Sequence, residues 1–152
     1  MKKQIKVVSI PHSGTRSMMQ ALGCGYHHMF IRENQYWQGF KEKILVCPLR
    51  DPKEVWKSWV KRDNAKRGAV SLDLFEKQYQ HLKNMDAEYD LFYIPVDRTN
   101  FDLLEELSER VGFHVSLSKI GSMDAPTETD HEEPDWDYIY NLPMIKRFYD
   151  FN

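Results

Sequence analysis

Apolar residues in this chain fall into short continuous runs that alternate with longer stretches of three-to-four-residue periodicity. Ile5 to Ile10 (IKVVSI) is apolar on both faces and stops at Pro11; such a run suits a strand buried inside a parallel sheet. Thr15 to Leu22 puts Met18, Met19 and Leu22 on one side of a helix, which Gly23 and Gly25 end. Tyr26 to Phe30 reads as a second strand. Ile44 to Leu49 reads as a third, with Pro48 marking where the chain turns out of the sheet. A helix should follow at once, with Asp51 as N-cap, Pro52 as its first residue and Glu54 as capping-box partner. Val55, Trp56, Trp59 and Val60 supply its apolar stripe. Ser71 to Met85 reads as another helix through Leu72, Phe75, Tyr79 and Leu82. Leu91 to Val96 reads as a fourth strand, and Thr99 to Val111 as a helix stopped by Gly112. Phe113 to Leu117 is read as a short fifth strand. The aromatic-rich residues 138 to 152 are read as a C-terminal docking helix, with the lining of an acceptor pocket as the alternative.

Strands separated by helices predict an α/β domain with a mainly parallel sheet flanked by helices. In such sheets ligands bind beyond the carboxyl ends of the strands. Chemistry is therefore expected at Pro11 to Ser17, at Arg50 and Asp51, and at Asp97 and Arg98. A length of 152 residues predicts a single domain, 1–152. Its 41% hydrophobic and 29% charged residues exclude a disordered chain. A net charge of −2 supplies no basic field, so no nucleic acid partner is expected. Cys24 and Cys47 cannot build a disulfide framework, and their spacing suits no metal site. No apolar run approaches the roughly 20 residues that span a bilayer, and the first residues lack a signal-peptide apolar region. A cytoplasmic protein without membrane attachment is the expectation.

The segment after the first strand, Pro11-His12-Ser13-Gly14-Thr15-Arg16-Ser17, has the make-up of a phosphate cradle. Amides at a helix N-terminus point at an anion and the helix dipole favours its charge. Ser13, Thr15 and Ser17 add hydroxyls, and Arg16 adds a charged donor. An ATP-type P-loop is not matched: aligned on Gly14, Ser9 stands where the first glycine belongs and Thr15 where the lysine belongs. The plain alternative is a helix N-cap turn with no ligand.

Arg50 ends the third strand and Ser58 lies two turns into the next helix. An arginine fork with a nearby hydroxyl suits a phosphate; the alternative is an arginine paired with an acidic neighbour and a solvated serine. Taken together, Pro-His-Ser-Gly-Thr-Arg-Ser followed by Arg-Asp-Pro-x-x-Val-x-x-Ser resembles the P-loop sulfotransferases, over roughly the first 60 residues. The resemblance implies a P-loop NTPase-like three-layer fold and the sulfuryl donor PAPS (3′-phosphoadenosine 5′-phosphosulfate). It implies that Pro11, His12, Ser13, Gly14, Thr15, Arg16 and Ser17 hold the 5′-phosphosulfate, that Arg50 and Ser58 hold the 3′-phosphate, and that no metal is required. The sequence departs from the family in several places: the Lys-Thr-His sequence is absent, and Arg16 stands where cytosolic members often have Thr, although Gly-Thr-Arg occurs in some heparan-type members. His12 stands where many members have a lysine that contacts the bridging oxygen, Ser17 stands where many have an adenine-stacking aromatic, and the late Arg-Lys-Gly element is only hinted at by Ser118-Lys119-Ile120-Gly121.

Sulfuryl transfer needs a base beside the acceptor oxygen. Family members carry a histidine before the Arg-Asp-Pro strand, which points here to His27 or His28. Alternation along a strand lets at most one face the site, and distance before Arg50 favours His28. Glu33 is held in reserve, and two histidines with no chemical role are the alternative. Lys57 to Arg67 is a basic stretch, read as a solvated face or as extra attraction for a nucleotide. Asp124 to Asp137 is an acidic loop without Lys or Arg, and His131, Glu132, Glu133 and Asp135 fit no closed metal site. The expected activity is PAPS-dependent sulfation of a hydroxyl or amine on an unknown acceptor. A catalytically inactive module binding PAPS or its product PAP (3′-phosphoadenosine 5′-phosphate), and a P-loop kinase of a nucleoside or small metabolite, are the alternatives. For so short a chain the acceptor site must be small, shared with a partner chain as in a homodimer, or absent.

Overall fold

A computed structural model describes residues 4–11, 13–28, 42–66, 72–98, 100–119 and 133–150; the side chains of residues 27, 28 and 62–66 also lie outside it. Four strands, β1 (Ile5–Ser9), β2 (Tyr26–His28), β3 (Ile44–Leu49) and β4 (Leu91–Pro95), form one sheet in the order β2-β1-β3-β4. Every neighbouring pair is parallel, with Ile5 beside Ile44, Val7 beside Tyr26 and Leu45 beside Leu91. Parallel neighbours need crossovers, and two of them carry helices among the described residues. Helix α1 (Thr15–Leu22) joins β1 to β2, and α2 (Pro52–Lys66) and α3 (Leu72–Glu88) lie between β3 and β4. Helices α4 (Phe101–Val111), α5 (Trp136–Tyr140) and α6 (Pro143–Lys146) follow.

Alternation along the strands splits the core in two. Val8, Leu45, Cys47, Leu49, Leu91 and Tyr93 face α2, α3, α5 and α6, where they meet Val55, Phe75, Leu82 and Ile145. Val7, Val46, Phe92 and Ile94 face α1 and α4, where they meet Met18, Leu22, Leu103 and Leu107. Both faces of the sheet are thus covered by helices, which explains why its strands are apolar at consecutive positions. Phe75 is the hub of the first core: its ring centroid lies 4.8 Å from Trp56, 5.3 Å from Trp59 and from Tyr79, and 6.2 Å from Trp136.

Two expected elements differ. Phe113 to Leu117 is not a fifth strand: Val115 is buried, and its N–H donates to Ser108 Oγ at 2.9 Å, so this segment caps α4 instead of pairing with the sheet. Of residues 138 to 152, the described ones, 138–150, do not form one helix. Pro143 forces its predecessor out of the helical region, Leu142 is extended at φ −62° and ψ 134°, and two short helices result. Both still pack inward through Ile139, Tyr140, Leu142, Met144, Ile145 and Tyr149. Residues 124–132 of the acidic loop lie outside the described residues. Among the described residues no helix is long and apolar enough to cross a membrane.

Candidate functional site

The strand order reverses at β1, since β2 lies on one side of it and β3 on the other. Such a switch point opens a crevice at the carboxyl ends of the two central strands. The loops leaving β1 and β3 are the two segments singled out from the sequence.

On the β1 side, Gly14 is left-handed at φ 83° and ψ 25° and directly precedes the helical Thr15. Only glycine takes that conformation without strain, and a left-handed residue before right-handed ones turns successive N–H groups to one side. Glycine has no side chain with which to cap the first turn of α1, and that turn contains no acidic residue. The turn is therefore electropositive and oriented, as an anion cradle requires. Ser13 and Thr15 are buried. The Ser9 and Thr15 hydroxyls pair at 2.7 Å inside the fold, so Thr15 braces the loop against β1. Ser17 is half-buried and Arg16 is exposed. Pro11 is buried and its carbonyl accepts a hydrogen bond from the indole of Trp59 on α2, at 3.0 Å. His12 lies outside the described residues.

On the β3 side, Arg50 is only 7% exposed. Its backbone is gripped on both sides by the two residues that follow β4: the Val96 N–H donates to the Leu49 carbonyl at 2.8 Å, and the Asp51 N–H donates to Asp97 Oδ2 at 2.8 Å. Asp51 caps α2, accepting at Oδ1 from the Lys53 N–H at 3.2 Å, with Pro52 as first helical residue. The expected capping box is incomplete. Asp97 has taken the Asp51 N–H that Glu54 would bond, and Glu54 pairs with Lys57 at 3.1 Å. Ser58 is half-buried on α2, next to Trp59.

The C-terminal segment completes the turn. Tyr140 donates its hydroxyl hydrogen to Asp51 Oδ1, and Tyr149 donates to Asp97 Oδ1 at 2.6 Å. Burial, and then the adjoining carboxylate, push both phenols well above the usual tyrosine range. They remain donors at every physiological pH. Arg98 stacks over the Tyr149 ring at 4.5 Å and donates to the Phe148 carbonyl, which makes it a brace for this segment. The sequence pattern places both tyrosines in the C-terminal docking segment without pairing them to Asp51 and Asp97. The available signal was a tyrosine, not a phenylalanine, at two core positions, since a buried phenol needs an acceptor.

The base candidates come from β2 and the sequence after it. His28 ends β2 with its backbone beside Ser9, and His27 pairs with Val8; both side chains, and Glu33, lie outside the described residues. Lys119 is exposed, while Ile120 and Gly121 lie outside. Among the described residues no group of three His, Cys, Asp or Glu is disposed to hold a metal. Cys47 is buried in β3 with its thiol pushed up by burial, which removes it from nucleophilic chemistry. Compared with protein-family models, curated proteins and solved structures, the chain finds no match.

Proposed function

We propose that the chain is a PAPS-dependent sulfotransferase built on a P-loop NTPase-like core. One observation carries the reading: a glycine-turned helix N-terminus after β1 and a buried arginine after β3 stand on adjacent parallel strands at the switch point of the sheet. A nucleotide with anionic groups at both its 5′ and 3′ positions needs two such sites side by side. The 5′-phosphosulfate lies on the amides of the α1 turn, with His12, Arg16 and Ser17 around it. Arg50 and Ser58 hold the 3′-phosphate, where a buried guanidinium forms stronger charge-assisted bonds than an exposed one. PAPS supplies the sulfuryl group: the acceptor oxygen or nitrogen bonds to sulfur as the sulfur–oxygen bond to the 5′-phosphate breaks. His28 takes the acceptor proton. His12, in the lysine position, donates towards the bridging oxygen as charge builds there.

Calorimetry with PAP tests this reading. PAP should bind, and Arg50→Ala should remove most of that binding. Equal affinity for PAP and AMP sinks the 3′-phosphate assignment. The replacement of the usual lysine by His12 favours a second reading, a module that binds PAPS without transfer. Binding of PAP with no label passed from PAPS to a broad acceptor panel would support it. A P-loop kinase is disfavoured because Thr15 occupies the lysine position with its hydroxyl turned onto Ser9; magnesium-dependent ATP binding would revive it.

A further inference from the structure

We propose that Tyr140 and Tyr149 are positioning residues for Arg50, and that they set the preference of the site for a 3′-phosphate. The inference rests on the nucleotide reading above. Arg50 lies in the short turn between β3, which ends one residue earlier, and α2, which starts two residues later. Two hydrogen bonds fix its backbone, one on the preceding carbonyl and one on the following N–H, and both come from residues 96 and 97. The second depends on the orientation of the Asp97 carboxylate. Asp97 has one oxygen on the Asp51 N–H and the other on the Tyr149 hydroxyl, with the Arg98 guanidinium 4.0 Å from that second oxygen. Without the phenol, the charge of Arg98 is free to draw the carboxylate aside and loosen its bond to Asp51. Tyr140 acts on the other carboxylate. Its hydroxyl donates to Asp51 Oδ1, which also accepts from the Lys53 N–H, and that N–H is shared with the Tyr140 oxygen at 3.3 Å. The two phenols thus hold the two carboxylates that hold the one turn from which Arg50 projects. A bidentate guanidinium–phosphate contact is sensitive to such placement, whereas the α1 cradle lies on another strand and gains nothing from it.

The test compares affinities for PAP and AMP in wild type, Tyr140→Phe and Tyr149→Phe by calorimetry, with thermal melting alongside. Wild type should prefer PAP. Each Phe variant should lose about tenfold in PAP affinity and keep its AMP affinity within about twofold. A merely structural role lowers the melting temperature, or weakens both nucleotides together, and leaves their ratio alone. A ratio unchanged from wild type in either folded variant overturns the inference for that tyrosine, and in both overturns it whole, while sparing the nucleotide reading. Wild type that binds neither nucleotide overturns both. Each tyrosine grips a different carboxylate, so either variant alone suffices if the other fails to fold. Asp97→Asn, which leaves one oxygen for two donors, replaces them with the same expected loss if neither folds.

Discussion

The indole N–H of Trp59 reaches across 48 residues to the carbonyl oxygen of Pro11, at 3.0 Å. It ties the helix that carries Ser58 to the loop that precedes Gly14. The two halves of the candidate site are therefore joined twice: through the β1–β3 ladder beneath them and through this bond beside them.

Trp59→Phe keeps an aromatic ring against Phe75 and deletes the donor. It should cost about 1–2 kcal/mol of stability in urea unfolding, as expected for a part-buried acceptor left without its partner. PAP affinity should fall with it, because the loop ahead of the cradle is no longer held.

Gly14 and Gly112 share a φ of 83°, and only Gly14 faces the proposed ligand. A Cβ at Gly112 would meet nothing within 4 Å, so Gly112→Ala reports the backbone strain alone. Each alanine variant should lose about 1 kcal/mol by chemical denaturation. Gly14→Ala should also weaken PAP binding, and Gly112→Ala should leave it unchanged. Equal binding by the two variants would remove Gly14 from the cradle.

Alkaline pH should destabilise the fold. Tyr79, Tyr93, Tyr140 and Tyr149 all have phenols raised by burial, so the folded chain keeps protons that the unfolded chain releases above about pH 10. With fewer protons on the unfolded state, stability falls as pH rises, by up to about 1.4 kcal/mol per pH unit for each tyrosine. The buried Cys47 thiol acts with the same sign from about pH 8.5. Below these values the contribution is fully present. Urea midpoints measured from pH 8 to 11 check this, and the Tyr140→Phe, Tyr149→Phe double variant should show a shallower decline.

Phe75 is fully buried among Trp56, Trp59, Tyr79 and Trp136. Phe75→Ala should cost about 3–5 kcal/mol, since rings packed at these angles cannot collapse into the space. A loss under 1 kcal/mol would mean that this core repacks freely.

Elements set by local pattern were legible in the sequence. The runs that became β1, β3 and β4 are apolar at consecutive positions because both faces of the sheet are covered, and Asp51-Pro52 announces the start of α2 by chemistry within one turn. What depended on distant partners was not legible. Glu54 looked like the other half of a capping box, but Asp97, 46 residues from Asp51, supplies the acceptor. Val115 has the composition of a strand, yet its N–H belongs to Ser108. The C-terminal aromatics read as a docking helix, and their apolar character gave no hint that two phenols end on carboxylates. At the candidate site, the motifs located Gly14 and Arg50. The grip on Arg50 comes from residues 96, 97, 140 and 149, which no short motif can contain.

That dispersal bears on how the protein acquires its site during synthesis. Contacts between residues far apart in sequence form late, because a long loop must close before they contribute. A nascent chain that has emerged only as far as Val111 already holds the four described strands and both motifs, but neither phenol that steadies the Arg50 turn. Such a chain would have the sheet and the α1 turn before the Arg50 turn was steadied, and the proposed preference for a 3′-phosphate would arrive with Tyr140 and Tyr149.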